Sequence, residues 1–337
     1  GRLVADGASL SSAAGPFTVL YLNKSGGRVN GTRFVGGRGL GIQSDEVSVA
    51  TSSFEAGLTG VFVGGTSGSV LTNVSATDND GPGIQLRGAV SARVAGSILR
   101  NNSVGLDGGG TGHAIGGNEI RGNVNGVNLG GSGTQVERNT ISGNSNYGLR
   151  IGSATSTSVS GNAFDGNGVG IQLANAQGTV VVANTIANST RYGVYLTWGA
   201  WNRIFHNRFL TNAAQGFDDD NGNNNRWFDL YPVGGTWWSD YTGPDAFSGP
   251  LQDVPGADSI GDTPKAVDAT TQRLVWQDYQ RHCARALWLD LKGGRFGGST
   301  LTMQLSRMLI SNGEPRSVGN KAREMMLALR IERAVDK

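Results

Sequence analysis

The residues best suited to chemistry in this 337-residue chain fall into four sets. Towards its C-terminal end, Gly297-Gly298-Ser299-Thr300 runs into Leu301-Thr302-Met303-Gln304-Leu305, with Arg307, Arg316, Lys321 and Glu324 downstream. A Gly-rich turn opening a helix presents free backbone N–H groups, and nearby Arg and Lys side chains can pair with the same anion. Asp218, Asp219 and Asp220 stand in a row before Asn221-Gly222, with Asp253, Asp258 and Asp262 further on. Such carboxylates are hard oxygen ligands for Ca²⁺, or a general acid and base for sugar cleavage. Three consecutive carboxylates in an extended segment alternate between faces, which weakens any shared catalytic role. His113 and His206 are the two imidazoles of residues 1–265, a stretch without Cys or Met. Soft metals want clustered His, Cys or Met, so both are expected as polar residues on a solvated face. Trp198, Trp201 and Trp227 are candidates for stacking on sugar rings, the plainer expectation being aromatic capping of a core.

These groups hang on a repeat. A Gly followed by apolar-x-apolar recurs at Gly126, Gly148, Gly170 and Gly193. The anchor series extends over Gly60, Gly83, Gly105 and Gly216 at intervals of 21 to 23 residues. Asn118, Asn139, Asn162, Asn184 and Asn207 form a second series, and Asn144, Asn167 and Asn188 a third. Each interval holds about three short alternating segments, too short to stand alone but able to pair with their copies one turn on. A helical or leucine-rich repeat would need helix-length segments, which these units lack. The fold class is therefore mainly β: a right-handed parallel β-helix, a solenoid with about 22 residues per rung. Eight rungs about 4.8 Å apart span roughly 40 Å. Asn side chains can stack as hydrogen-bonded ladders, and Val, Ile, Leu and Phe fill the interior.

The 55 glycines show no period of three, so they are turn residues rather than collagen-like. Residues 1–265 carry 16 Lys+Arg against 19 Asp+Glu, and residues 266–337 carry 12 against 7. All four Met and the single Cys, Cys283, fall in the second stretch. The solenoid is thus expected over 1–265, with an aromatic and acidic cap at 216–265. A linker at 266–283 leads to a small α-helical C-terminal segment at 284–337. Low overall charge argues against nucleic acid as a partner. One Cys makes no internal disulfide, and no apolar run is long enough for a transmembrane segment.

The cap carries a resemblance. Gly234-Gly235-Thr236-Trp237-Trp238-Ser239-Asp240-Tyr241-Thr242-Gly243-Pro244-Asp245 and Asp258-Ser259-Ile260-Gly261-Asp262-Thr263-Pro264 resemble the closing signatures of NosD-like periplasmic β-helix proteins. With the Asn-x-Ile/Phe rungs, the resemblance covers roughly residues 40–265. It implies a location in the bacterial cell envelope, periplasmic or extracellular, and copper by association, which the ligand content does not support. Gly297 to Leu305 resembles the GGST[IL]TxQL motif of glycosyltransferase family 51, the peptidoglycan transglycosylase module of penicillin-binding proteins. Arg316, Lys321 and Glu324 fall on a second motif of that family, from which Asn320 departs. That resemblance implies glycan polymerisation from lipid II. Ser299, Thr300, Gln304, Arg307, Arg316, Lys321 and Glu324 would then bind substrate and its pyrophosphate.

The family's catalytic Glu belongs to an E-D-x-x-F-x-x-H-x-G-x-D motif, where this chain has Val275-Trp276-Gln277-Asp278-Tyr279. Gln277 cannot take a proton from the attacking sugar hydroxyl, so Asp278 is the remaining substitute base and no catalytic residue is otherwise assigned. The leading expectation is a non-catalytic binding or scaffold β-helix carrying an incomplete transglycosylase-like tail. A peptidoglycan glycosyltransferase fusion and a carbohydrate-binding or carbohydrate-cleaving β-helix are the alternatives. Polysaccharide, peptidoglycan or lipid II are the partners these readings imply. No cofactor is predicted beyond the Ca²⁺ that Asp218, Asp219 and Asp220 would hold.

Overall fold

The computed structural model describes residues 4–11, 20–22, 26–219, 224–228, 235–248, 254–257 and 267. The expectations for residues 268–337, from Asp278 to Glu324, lie outside the described residues.

Within the solenoid, short strands recur in threes and do not pair with their immediate sequence neighbours. Each pairs in parallel with its copy one turn on, giving three sheets of 10, 11 and 10 strands. The repeat is thus a parallel β-solenoid with about 22 residues per turn. One turn shows the pattern: Ala114–Gly116 lies on the first face, Glu119–Arg121 on the second and Asn125–Ser132 on the third. Three-residue strands present only their central side chain inwards, so like stacks on like. Val94, Ile115, Val136, Val159 and Val181 line the first face, and Leu99, Ile120, Ile141, Phe164 and Ile186 the second. All are fully buried, each contributing roughly 1.5 to 3 kcal/mol.

Every turn has three corners, and each corner buries polar backbone that must be satisfied. At the first, Asn118, Asn139, Asn162, Asn184 and Asn207 form a ladder. Asn139 Oδ1 accepts from both the backbone N–H and Nδ2 of Asn118, while Asn139 Nδ2 donates to Ile115 O and Asn162 Oδ1, each at 2.9 Å. At the second, Asn79, Asn102, Asn123, Asn144 and Asn167 do the same. Ser189 and Asn212 take the next two places: Asn212 Oδ1 accepts from Ser189 N–H at 2.9 Å, while Ser189 Oγ has no hydrogen-bond partner among the described residues. Asn188, which sequence spacing groups with Asn144 and Asn167, instead turns outwards at φ 53° and donates to Asp165 Oδ1 at 2.7 Å. The ladder place stays five residues after the first-corner Asn, as from Asn139 to Asn144, Asn162 to Asn167 and Asn184 to Ser189, and Asn188 falls one residue short of it.

The third corner holds His113, Thr134, Thr157, Thr179, Asn202 and Asn225. His113 is only 1% exposed, not on a solvated face as expected. Its Nδ1 accepts from Ala92 N–H at 3.2 Å, the role that Asn202 Oδ1 performs for Thr179 N–H at 2.9 Å. His206 is exposed, in agreement with the sequence reading.

The Gly anchors mark the entry to the third face, where successive turns approach closely. A Cβ on Gly148 would stand 2.7 Å from Gly170 O and 3.0 Å from Asn167 side-chain atoms. Glycine is required there by space.

The last apolar turn is covered by aromatics. Trp238 pairs with Phe209 and stacks on its ring at 4.4 Å; Trp227 lies 6.0 Å from Trp238. Trp227, Trp238 and Val267 are all buried. These belong to the first of two compact units, which holds the solenoid. Within the second, Phe247–Ser248 pairs antiparallel with Val254–Pro255.

Candidate functional site

The strands of the third face are the long ones: Pro82–Val90, Val104–Thr111, Asn125–Ser132 and Tyr147–Thr155 have eight or nine residues. Parallel pairing in register forces side chains of the same parity into one outward column. That column reads Gln85, Asp107, Asn128, Arg150, Gln172, Tyr195, Phe217. Gln85 Nε2 donates to Asp107 Oδ2 at 3.0 Å, and Arg150 Nε donates to Gln172 Oε1 at 3.2 Å. Between the two pairs, Asn128 Oδ1 is shielded from solvent and accepts no hydrogen bond among the described residues. A shielded acceptor in that state is where an ordered water would donate.

The upper end of the column is aromatic. Tyr195 stacks on Phe217 at 5.0 Å and lies 4.9 Å from Tyr192. Burial, followed by Tyr192, Asp219 and Tyr147, raises the Tyr195 pKa, so its hydroxyl stays a neutral donor. A parallel column places Asn125, Tyr147, Val169 and Tyr192 in register. Arg191 reaches back across two turns, donating to Asn146 O at 2.9 Å and Oδ1 at 2.7 Å, with its guanidinium 5.6 Å from the Tyr147 ring centre. The face therefore combines planar rings with amide, hydroxyl and guanidinium donors, the mixture that polyhydroxylated ligands require.

The acidic cluster is divided. Asp218 takes the inward place that Leu196 holds one turn earlier, and is 1% exposed. Its Oδ2 accepts from Trp227 Nε1 at 2.9 Å. Asp219 is half-buried, its Oδ1 accepting from the backbone N–H of Trp198 at 3.1 Å. Asp220 lies outside the described residues, as do Asp253, Asp258 and Asp262.

Of the three tryptophans, only Trp227 caps the core. Trp198 and Trp201 are 79% and 43% exposed, contrary to the capping expected of them. Both have left-handed backbones, at φ 52° and 60°. For a bulky residue that conformation costs on the order of 1 to 2 kcal/mol.

The family model described as "Periplasmic copper-binding protein (NosD)" matches residues 41–243, more than half of the chain. The chain belongs to the NosD family. Among solved structures, the NosD solenoid is similar to DFA-IIIase from Arthrobacter chlorophenolicus A6 without its lid. The TM-score is 0.51 at 11% identity, covering 63% of this chain and 64% of that one. The mannuronan C-5 epimerase AlgE4 A-module of Azotobacter vinelandii gives 0.49 at 14% identity, over 64% and 81%. At such identities the likeness is one of fold alone. Residues 278–337 match the transglycosylase model. Penicillin-binding protein 1C of Escherichia coli (strain K12) is 49% identical over 51 residues, 14% of this chain and 6% of that protein. The chain thus spans a small fraction of that relative's length.

Copper in the NosD description does not fit the described residues. His113 lies inside the wall, four turns from His206 and so about 19 Å away along the axis. No group of three or more His, Cys, Asp or Glu that could hold a metal ion occurs among the described residues. Nor does any helix among them have the length and apolarity to cross a membrane.

Proposed function

We propose that the solenoid is a non-catalytic glycan-binding scaffold of the bacterial cell envelope, and that its third face is the binding surface. The observation that carries this reading is the single outward column from Gln85 to Phe217, polar over five turns and aromatic over the next two. Hydrogen-bonding side chains about 4.8 Å apart can address hydroxyl groups along an extended chain, and the rings can stack on sugar faces. In the polar part Asp107 and Arg150 cancel in charge, which suits an uncharged chain better than a polyanion. The periplasmic description of the family supports an envelope location. Asp218, sealed inside the coil and hydrogen-bonded to Trp227, is unavailable to an external sugar, which favours binding over cleavage.

Isothermal titration of the full chain with chitohexaose, an uncharged β-1,4-linked oligomer, tests the reading. Saturable binding with no new reducing ends is expected. Absence of binding to chitohexaose and to other soluble glycans would sink it, and release of shortened products would make the protein an enzyme.

A second reading comes from the 49% match of the tail to a penicillin-binding protein. The tail would then direct the solenoid to peptidoglycan while lacking polymerase activity, because Gln277 stands where the transferase family has its catalytic Glu. Ca²⁺ at Asp218, Asp219 and Asp220 is a separate proposal that the inward, Trp227-bound Asp218 disfavours; EDTA lowering the thermal midpoint would support it.

A further inference from the structure

We propose that Trp198 and Trp201 form an aromatic subsite that stacks on an uncharged pyranose ring at the upper end of the third face. The inference rests on the glycan-binding reading and specifies where its aromatic contact is made.

Register shows how unusual these two residues are. Ala174 pairs with Thr197 and Gln177 with Ala200, so Trp198 stands above Asn175, and Trp201 above Gly178 and Ser156. Those earlier residues are left-handed too, at φ 54°, 62° and 53°. The corner demands left-handed backbone on every turn, and small or amide residues meet that demand with little strain. On this one turn both places hold tryptophan, the bulkiest side chain. Core packing compensates little at Trp198, which is 79% exposed, and only in part at Trp201, which is 43% exposed. Among the described residues neither indole joins a ring contact or a hydrogen bond. Two corner positions three residues apart thus combine backbone strain with exposed apolar surface. Strain of this kind marks sites where a ligand is the beneficiary.

The location names the ligand. Trp198 directly follows strand Tyr192–Thr197, which carries Tyr192 and Tyr195. Asp219 ties the Trp198 backbone to the next turn, and its charge also reaches Tyr195. The indoles therefore lie on the same turn as the Tyr192 and Tyr195 end of the outward column. The negative face of an indole attracts the C–H groups of a pyranose and repels a carboxylate, so an uncharged sugar is favoured over a uronate.

The test compares wild-type full chain with a Trp198→Asn/Trp201→Gly variant, which restores the residue types of the preceding turn. Titration with chitohexaose and with polymannuronate is combined with thermal denaturation. Expected are at least a tenfold loss of chitohexaose affinity and a thermal midpoint that is unchanged or higher. A Trp198→Phe/Trp201→Phe variant should keep most of the affinity. Equal affinity of wild type and the Asn/Gly variant would overturn the subsite while leaving the glycan reading intact. A lower midpoint in that variant would assign the pair a structural role and also overturn it. Tighter wild-type binding of polymannuronate than of chitohexaose would overturn the choice of an uncharged sugar. Failure of wild type to bind either glycan would remove the underlying reading, and the subsite with it.

Discussion

Asn139 shows how much one side chain holds in this architecture. It accepts from Asn118 and donates to Ile115 O on the preceding turn and donates to Asn162 on the next, so Asn139→Ala leaves several buried polar groups unpaired. A loss of about 3 kcal/mol is expected in urea denaturation, whereas Asn188→Gly, on the outside, should change stability by no more than about 0.5 kcal/mol. Gly148→Ala should cost about 1 to 3 kcal/mol, because the new methyl meets Gly170 O, a backbone atom that cannot rotate away. His113 introduces a pH dependence. Burial lowers its pKa from the ordinary 6.5, although the nearby Gly109 backbone partly opposes this. A depressed folded value means the unfolded chain binds the extra proton first, so stability falls as pH drops below about 6.5. Thermal midpoints at pH 7 and pH 5 should therefore differ more for wild type than for His113→Thr, which carries the residue type of the next turn. Equal pH dependence in the two would contradict this.

At the scale of strands and corners, much was legible because repetition turns composition into geometry. The Gly anchors and the first Asn series identify the coil, its period and one ladder directly. What was hidden depends on register. Asn188 and Ser189 look interchangeable until the neighbouring turn shows which one faces inwards. His113 occupies a place otherwise taken by Thr and Asn, because the corner selects for a hydrogen-bond acceptor and not for one residue type. The outward column was invisible for the same reason: Gln85, Asp107, Asn128 and Arg150 share no chemistry in sequence and become one surface only when their strands pair. Trp198 and Trp201 were legible as candidates, but their exposure was not, since aromatic residues near a terminal turn are ordinarily caps. Replacing Gln85, Asp107 and Arg150 by Ala should leave the coil intact, because all three point outwards. The midpoint is expected to move by less than about 4 °C, roughly 1 kcal/mol for a domain of this size.

For the whole molecule, a solenoid of known family carries a tail matched over residues 278–337 to transglycosylases. With Gln277 where the resemblance puts the family's base, a lipid II polymerisation assay on the full chain is expected to give no glycan product; polymer formation would show that another group, such as Asp278, serves as the base. The central claim concerns the third face. The most direct measurement is titration of the full chain with chitohexaose, comparing wild type with the Gln85→Ala/Asp107→Ala/Arg150→Ala variant. Saturable binding by wild type and at least tenfold weaker binding by a variant of unchanged fold are predicted. Equal affinity in the two proteins would contradict the account.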